Sequence, residues 1–120
     1  MSIAVIDDNS AVLASLLFAL KVCGFEAIGY PSSATYLAAD HDPECLILDH
    51  NMPEMTGLEL VSLLRRSGRN VPVLLTTGLL EPEVDRVAKN LGIECVAPKP
   101  TELAALLAFV RTYTAKDDRG

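Results

Sequence analysis

The 120-residue chain has little of several features that mark common functional classes. It has no tryptophan, and its 10 lysines and arginines are outnumbered by 16 aspartates and glutamates. Such an acidic chain is a poor candidate for direct binding to nucleic acid, because phosphate contacts need clustered cations. No apolar run is long enough to span a bilayer, and the N-terminus lacks the basic segment of a signal peptide. We therefore expect a cytoplasmic protein that binds neither nucleic acid nor membrane directly.

Cysteine is also scarce. The chain contains Cys23, Cys45 and Cys95, which are far apart and form no C-x-x-C pair. This spacing argues against a zinc site and favours free thiols in a reducing compartment. Since half of the residues are hydrophobic and 22% are charged, the composition is that of one globular domain. We expect a single domain over residues 1–120, with a core at about 2–114 and a charged tail at 115–120.

Short apolar runs alternate with longer segments that carry helix signals. The runs begin at Ile3, Phe25, Cys45, Val71 and Ile93. The candidate N-caps of the intervening segments are Asn9 or Ser10, Ser32 or Ser33, and Thr101. The candidate glycine terminators are Gly24, Gly68 and Gly92. Five alternations of strand and helix predict a doubly wound, parallel α/β sheet with helices on both faces. Pro98 in the last run predicts an edge strand there.

Polar groups follow four of the five predicted strands. Asp7 and Asp8 follow the first strand and Asp49 follows the third, whereas the fourth ends in a threonine pair and the fifth in Lys99. Ligands collect at the carboxyl ends of parallel strands, and the flavodoxin-like order 2-1-3-4-5 would make these four strands neighbours. Each group alone has an ordinary interpretation, such as a helix cap for one of the two adjacent aspartates. Together they predict one site.

The predicted cluster has a defined chemistry. Three carboxylates held together repel one another unless a cation intervenes, and an all-oxygen ligand set suits Mg²⁺. A carboxylate can also act as the nucleophile in phosphoryl transfer. Such catalysis consists largely of positioning and charge neutralisation, which a metal ion, Lys99 and a threonine hydroxyl would supply.

Four motifs then carry a family resemblance, in the order "VIDDN", "LILDHNMPEMTG", "PVLLTTG" and "PKP". With these motifs, residues 2–114 resemble the receiver domain of two-component response regulators, of the chemotaxis-regulator type. The resemblance implies a signalling phosphoacceptor that is not an enzyme acting on an outside substrate. It implies self-phosphorylation and slow autodephosphorylation, with a sensor histidine kinase or a histidine phosphotransfer protein as the donor. It also implies a downstream protein partner or effector domain.

The resemblance assigns roles residue by residue. Asp49 would accept the phosphoryl group and also bind Mg²⁺, Asp8 would bind Mg²⁺ directly and Asp7 would bind it through water. Asn51 would offer its backbone carbonyl to the metal. Lys99 would pair with the phosphoryl group, and the bond from Lys99 to Pro100 is expected to be cis. Thr77, rather than Thr76, would hydrogen-bond the phosphoryl oxygen and move toward it on activation, because the family's residue lies five positions after the proline of the strand, here Pro72.

Three departures affect the expected switch. Val96 stands where the family often has an aromatic residue, Gly78 follows Thr77 where alanine is common, and Thr101 follows the Lys-Pro pair. These departures leave open a pseudo-receiver that acts as a constitutive interaction module. A phosphatase with an aspartyl nucleophile is a weaker alternative, since no D-x-D sequence follows a strand. His50 is interpreted as a residue at the rim of the site.

The first helical segment is more apolar than one buried stripe requires. Between Ala11 and Val22 only Ser15 and Lys21 are polar, whereas a helix that packs on a sheet needs a single apolar face. Alanine-rich packing against the last helix is one explanation. A docking surface for a partner, or for a second copy in a homodimer, is the other, and family members commonly dock phosphodonors on this face.

Overall fold

The computed structural model describes residues 2–79 and 81–114, and within them five strands alternate with five helices. They are β1 (Ile3–Ile6), α1 (Ser10–Val22), β2 (Ala27–Tyr30), α2 (Ser33–Ala38), β3 (Cys45–Asp49), α3 (Gly57–Arg66), β4 (Val73–Thr77), α4 (Pro82–Asn90), β5 (Cys95–Pro98) and α5 (Leu103–Tyr113). All strand pairs are parallel, and the order across the sheet is β2-β1-β3-β4-β5. The predicted flavodoxin-like fold and strand order are confirmed. The predicted tail at 115–120 lies outside the described residues.

The three central strands form the buried centre of the fold. Every residue of β1, β3 and β4 is buried, as expected for parallel strands that are covered by helices on both faces. One apolar cluster lies between the sheet and α2, α3 and α4, and the other between the sheet and α1 and α5. Pro98 ends β5, which is an edge strand as predicted.

Strand starts were predicted too early in three places. The strands β2, β4 and β5 begin two residues after Phe25, Val71 and Ile93. These three apolar residues are buried as core side chains outside the strands. At these positions the apolar pattern indicates which residues are buried and does not indicate where strand pairing begins.

Three of the five helices begin at a residue whose side chain caps the first turn, whereas α4 and α5 begin without such a cap. Asn9 caps α1 through its side chain, and Ser32 and Thr56 both form reciprocal capping boxes. The prediction of Thr101 as an N-cap was wrong. Glu102 is the N-cap of α5, because its extended backbone offers the first helical carbonyl, which accepts from the Leu106 N–H at 3.0 Å.

The outer face of α1 carries two large apolar side chains beside the exposed Ser15 and Lys21. Phe18 is 69% exposed and Val22 is 67% exposed, while Leu20 is fully buried and Leu13 and Leu17 pack against the core. A single buried stripe therefore does not account for all of the apolar residues in this helix. Among the residues that the structure describes, no helix has the length and apolar character needed to cross a membrane.

Candidate functional site

Three carboxylates meet at the carboxyl edge of the sheet. Asp7 and Asp8 follow β1, and Asp49 is the last residue of the neighbouring β3. One carboxylate oxygen from each residue lies within 4.8 Å of the other two. Asp7 and Asp49 are each 1% exposed, whereas Asp8 is open to solvent. The topology thus brings the three predicted aspartates together.

Lys99 supplies the positive charge of this cluster. It directly follows β5, and its Nζ lies 2.8 Å from Asp49 Oδ1 and 3.6 Å from Asp7 Oδ2. The peptide bond between Lys99 and Pro100 is cis, as predicted. The contact with Asp49 is a charge-assisted hydrogen bond, while the contact with Asp7 is an ion pair beyond hydrogen-bonding distance.

The pKa values of Asp7 and Lys99 are both raised in this arrangement. Burial raises the pKa of Asp7, and the negative charge of Asp49 adds to the rise, although a backbone hydrogen bond from Asn9 and the charge of Lys99 oppose it. Burial by itself would lower the pKa of Lys99. The hydrogen bond to Asp49 and the charges of Asp49 and Asp7 outweigh that effect, so the pKa of Lys99 is raised. Lysine is therefore held as a cation beside carboxylates that repel one another.

Each buried carboxylate has one oxygen that is held and one that is not. The Asn9 N–H donates to Asp7 Oδ1 at 2.9 Å, and the Asn51 N–H donates to Asp49 Oδ1 at 3.0 Å. The Oδ2 atoms of Asp7 and Asp49 are buried and have no hydrogen-bond partner among the described residues. Buried polar atoms normally have partners. Two such oxygens beside the exposed Asp8 fit the all-oxygen coordination of Mg²⁺, since a hard divalent cation prefers these donors.

His50 forms hydrogen bonds to the loop between β3 and α3 and to the first turn of α3. Its carbonyl accepts from the N–H groups of Met52 and Gly57 at 3.0 and 3.1 Å, and its Nδ1 accepts from the Leu58 N–H at 3.4 Å. The first N–H groups of α3 are thereby satisfied by the residue next to Asp49. At Gly57 a Cβ would lie 2.9 Å from Asp49 O and from His50 Cα. Glycine at this position lets the start of α3 approach the end of β3.

The two adjacent threonines have different surroundings. Thr76 is paired in register with Asp49, and its hydroxyl lies 3.5 Å from the carbonyl of Leu48. Thr77 is the last residue of β4, and its hydroxyl has two acceptors, the Leu79 carbonyl at 3.0 Å and Asn51 Oδ1 at 3.3 Å. Thr77 therefore lies at the edge that carries the carboxylates. Its role toward a phosphoryl group stays a prediction, as does the Asn51 carbonyl as a metal ligand.

The side chain of Asn51 was not predicted to take part. Its Oδ1 accepts from the Gly78 N–H at 2.9 Å in addition to its contact with the Thr77 hydroxyl. It thereby joins the β3–α3 loop to the β4–α4 loop across the site. A sequence signal for this contact does not exist, because an asparagine in a loop is equally typical of a local turn.

Two of the three positions that depart from the family pattern, Val96 and Thr101, line grooves. Val96 is half-buried and, with residues of α4, lines a groove of about 320 Å³. Thr101 lines a second groove of about 450 Å³, which lies between α1 and the segment that follows β5. Thr76 and Lys99 also line this groove. The second groove leads from the apolar helix to the lysine of the site.

Comparison with known proteins agrees with this geometry. The family model described as "Response regulator receiver domain" matches residues 3–111 of the chain. The chain belongs to this family. As a receiver domain, it has the fold and the acidic cluster that the sequence motifs predicted, and these comparisons do not favour the pseudo-receiver alternative.

Relatives of this receiver domain include two longer regulators. It is 34% identical over 113 residues to transcriptional regulatory protein FixJ of Azorhizobium caulinodans, covering 92% of this chain and 54% of that protein. It is 37% identical over 112 residues to transcriptional regulatory protein PrrA of Mycobacterium tuberculosis, covering 91% of this chain and 48% of that protein. The chain thus spans about half the length of these two relatives.

Solved structures of receiver domains have the same architecture. Chemotaxis protein CheY4 of Vibrio cholerae superposes with a TM-score of 0.83 at 25% identity, over 94% of this chain and 98% of that one. The structure titled FixJ-N has a TM-score of 0.83 at 28% identity, over 92% of this chain and 90% of that one. The predicted resemblance to receivers of the chemotaxis-regulator type is therefore confirmed.

Proposed function

We propose that this receiver domain accepts a phosphoryl group on Asp49 from a phosphohistidine, in a reaction that depends on Mg²⁺. The observation that carries the proposal is the position of Asp49. One of its oxygens is held by Lys99 Nζ at 2.8 Å and by the Asn51 N–H at 3.0 Å, while Oδ2 has no hydrogen-bond partner among the described residues. The held oxygen fixes the orientation of the carboxylate, and a carboxylate so oriented can act as the nucleophile in phosphoryl transfer.

The step exchanges one bond to phosphorus for another. A bond forms between an Asp49 oxygen and phosphorus as the bond from phosphorus to the imidazole nitrogen breaks, and the imidazole keeps the electron pair. Mg²⁺ held by Asp8 and Asp49, and by Asp7 through water, would neutralise charge on the phosphoryl oxygens. Lys99 neutralises a further charge at the same edge. Since Asp49 is 1% exposed, neighbouring side chains have to shift before phosphorus comes within bonding distance.

The apolar face of α1 is the surface that we assign to the donor, a sensor histidine kinase or a histidine phosphotransfer protein. Phe18 and Val22 are exposed on it, and the groove between this helix and the segment after β5 leads to Lys99. Phe18→Glu should slow transfer from the kinase while transfer from a small phosphodonor stays unchanged. If the kinase transfers its phosphoryl group to Phe18→Glu and to the parent at equal rates, this assignment is wrong. A homodimer through the same face is the competing use, and sedimentation of the parent and of Phe18→Glu distinguishes it.

The proposed output is a phosphorylation-dependent change of a partner-binding surface around α4 and β5. The partner is a downstream protein or an effector domain, and we propose a cytoplasmic location because the donor kinases act there. The alternative is a pseudo-receiver that binds its partner constitutively. The Oδ2 atoms left without partners, and Lys99 beside them, support a phosphoacceptor instead, because a constitutive module has no need of a buried, repelling cluster.

One experiment tests the function. The chain is incubated with Mg²⁺ and a small phosphodonor such as acetyl phosphate, and the product is examined for an acid-stable, base-labile adduct. Asp49→Asn should abolish the adduct, and Asp8→Asn should reduce it strongly and raise the Mg²⁺ concentration needed. Asp85→Asn on α4 is the matched control, because it removes a first-turn carboxylate away from the cluster. If neither a small donor nor a kinase yields an adduct, the pseudo-receiver is favoured.

A further inference from the structure

The side-chain amide of Asn51 holds two donors at the rim of the site. Its Oδ1 accepts from the Gly78 N–H at 2.9 Å and lies 3.3 Å from the Thr77 hydroxyl oxygen. A carbonyl oxygen has two lone pairs and can accept both bonds. One side chain from the β3–α3 loop therefore fixes the end of β4 and the first residue beyond it.

The Thr77 hydroxyl is fully engaged in this arrangement. It has one proton, which it can donate to Asn51 Oδ1 or to the Leu79 carbonyl at 3.0 Å, and it accepts from the Leu79 N–H at 3.4 Å. A phosphoryl group on Asp49 would need the same proton, because it offers only acceptor oxygens. The hydroxyl can serve it only after release from its present acceptors.

We propose that the Asn51 side chain is a latch, which competes with a phosphoryl group for the Thr77 hydroxyl and opposes the phosphorylated state. This inference rests on the proposed function and concerns the side chain alone, since the backbone carbonyl is kept in every substitution. Asn51 is a positioning residue: it acts on the phosphoryl group through Thr77 and Gly78. Asn51 and Gly78 are both exposed, so water can take over their hydrogen bonds when the latch opens.

Beryllofluoride with Mg²⁺ is the probe, because it adds to a carboxylate noncovalently in place of a phosphoryl group. Its affinity is measured by titration of the full chain, with the backbone amide of Gly78 followed by nuclear magnetic resonance. Asn51→Ala should bind beryllofluoride about two- to ten-fold more tightly than the parent, since one of the two acceptors of the Thr77 hydroxyl is removed and only the Leu79 carbonyl still competes for its proton. Asn70→Ala is the matched control, an exposed asparagine before β4 at the opposite end of the sheet.

A double-mutant cycle with Thr77→Val separates the latch from a structural role. If Asn51 competes for the Thr77 hydroxyl, the gain from Asn51→Ala shrinks when Thr77→Val is already present. A structural role would lower the free energy of unfolding in Asn51→Ala without tightening beryllofluoride binding. Unchanged or weaker binding by Asn51→Ala, or an equal gain in both backgrounds, would overturn the latch alone. A parent chain that binds no beryllofluoride would overturn the proposed function together with the latch.

Discussion

Replacing Lys99 by methionine tests the electrostatic account of the site. The change removes the cation that lies 2.8 Å from Asp49 Oδ1 and 3.6 Å from Asp7 Oδ2, while an unbranched apolar stem is kept. At an effective dielectric constant of about 20, two unit charges 4 Å apart attract by about 4 kcal/mol. Desolvation of the ammonium offsets much of that gain, and the Lys99 side chain is 26% exposed. We therefore expect the free energy of unfolding to fall by about 1–3 kcal/mol without metal.

The loss should depend on pH with a definite sign. Because burial raises the pKa of Asp7, the folded chain holds this proton more tightly than the unfolded chain does. The stability that Asp7 contributes is complete below its unfolded pKa and is lost as pH rises through the folded pKa. Without Lys99, an opposing charge is gone and the pKa of Asp7 rises further. Lys99→Met should therefore lose less stability relative to the parent at low pH, where Asp7 is protonated, than near pH 7.

The assays are urea unfolding and thermal unfolding, both followed by circular dichroism at pH 4.5 and 7.5, with and without Mg²⁺. At pH 7.5 without metal, the melting temperature of Lys99→Met should fall by about 3–6 °C per kcal/mol for a domain of this size. Saturating Mg²⁺ should narrow the gap, because it supplies positive charge to the same carboxylates. Lys89→Met, an exposed lysine on α4, is the control. An equal loss at both pH values, or a gap that Mg²⁺ leaves unchanged, would refute the reasoning.

Two further substitutions test the packing around the site. Gly57→Ala should lower the free energy of unfolding in urea by about 1–3 kcal/mol, because the added Cβ would lie 2.9 Å from backbone atoms of Asp49 and His50. Gly78→Ala should lower it far less, since the nearest atom to its added Cβ is 3.8 Å away. Equal losses in the two variants would contradict the close approach of α3 to β3 at Gly57. Arg65→Met should lower the free energy of unfolding by about 1–3 kcal/mol, because the guanidinium donates to three backbone carbonyls near the ends of α3 and α4. The exposed Arg66→Met should change it by less than about 0.5 kcal/mol, and a similar loss in both variants would show that the three bonds contribute nothing.

The sequence predicted the site well because strand order and side-chain position are coupled. A buried parallel strand reads as a continuous apolar run, so its carboxyl end is visible where the first polar residue follows. Asp7 and Asp49 mark those ends, and Lys99 follows the last strand. Once the order 2-1-3-4-5 is adopted, their convergence needs no further information. The convergence of Asp7, Asp49 and Lys99 therefore follows from pattern and topology alone.

Contacts between loops could not be predicted in the same way. The bonds from Thr77 and Gly78 to Asn51 Oδ1 join two loops that are 26 and 27 residues apart in sequence. They depend on the path of the loop that follows Asp49, which closes on the His50 carbonyl. Neither periodicity nor residue type encodes that path. The wrong N-cap at Thr101 has a similar cause, since the first helical carbonyl is selected by backbone geometry and not by the best capping side chain.

The sheet beneath the carboxylates is buried and the loops beside them are exposed, and this difference explains how the acidic cluster can act in a conformational switch. Asp49 belongs to β3, which is buried throughout between β1 and β4, so a change of charge on it cannot easily displace its backbone. The exposed contacts of Asn51 and Gly78 cost little to break, because water replaces them. A phosphoryl group would therefore act on the loops before it acts on the sheet. The loop after β4 leads directly into α4. A structural change that phosphorylation of Asp49 causes at the end of β4 can therefore alter the groove beside Val96.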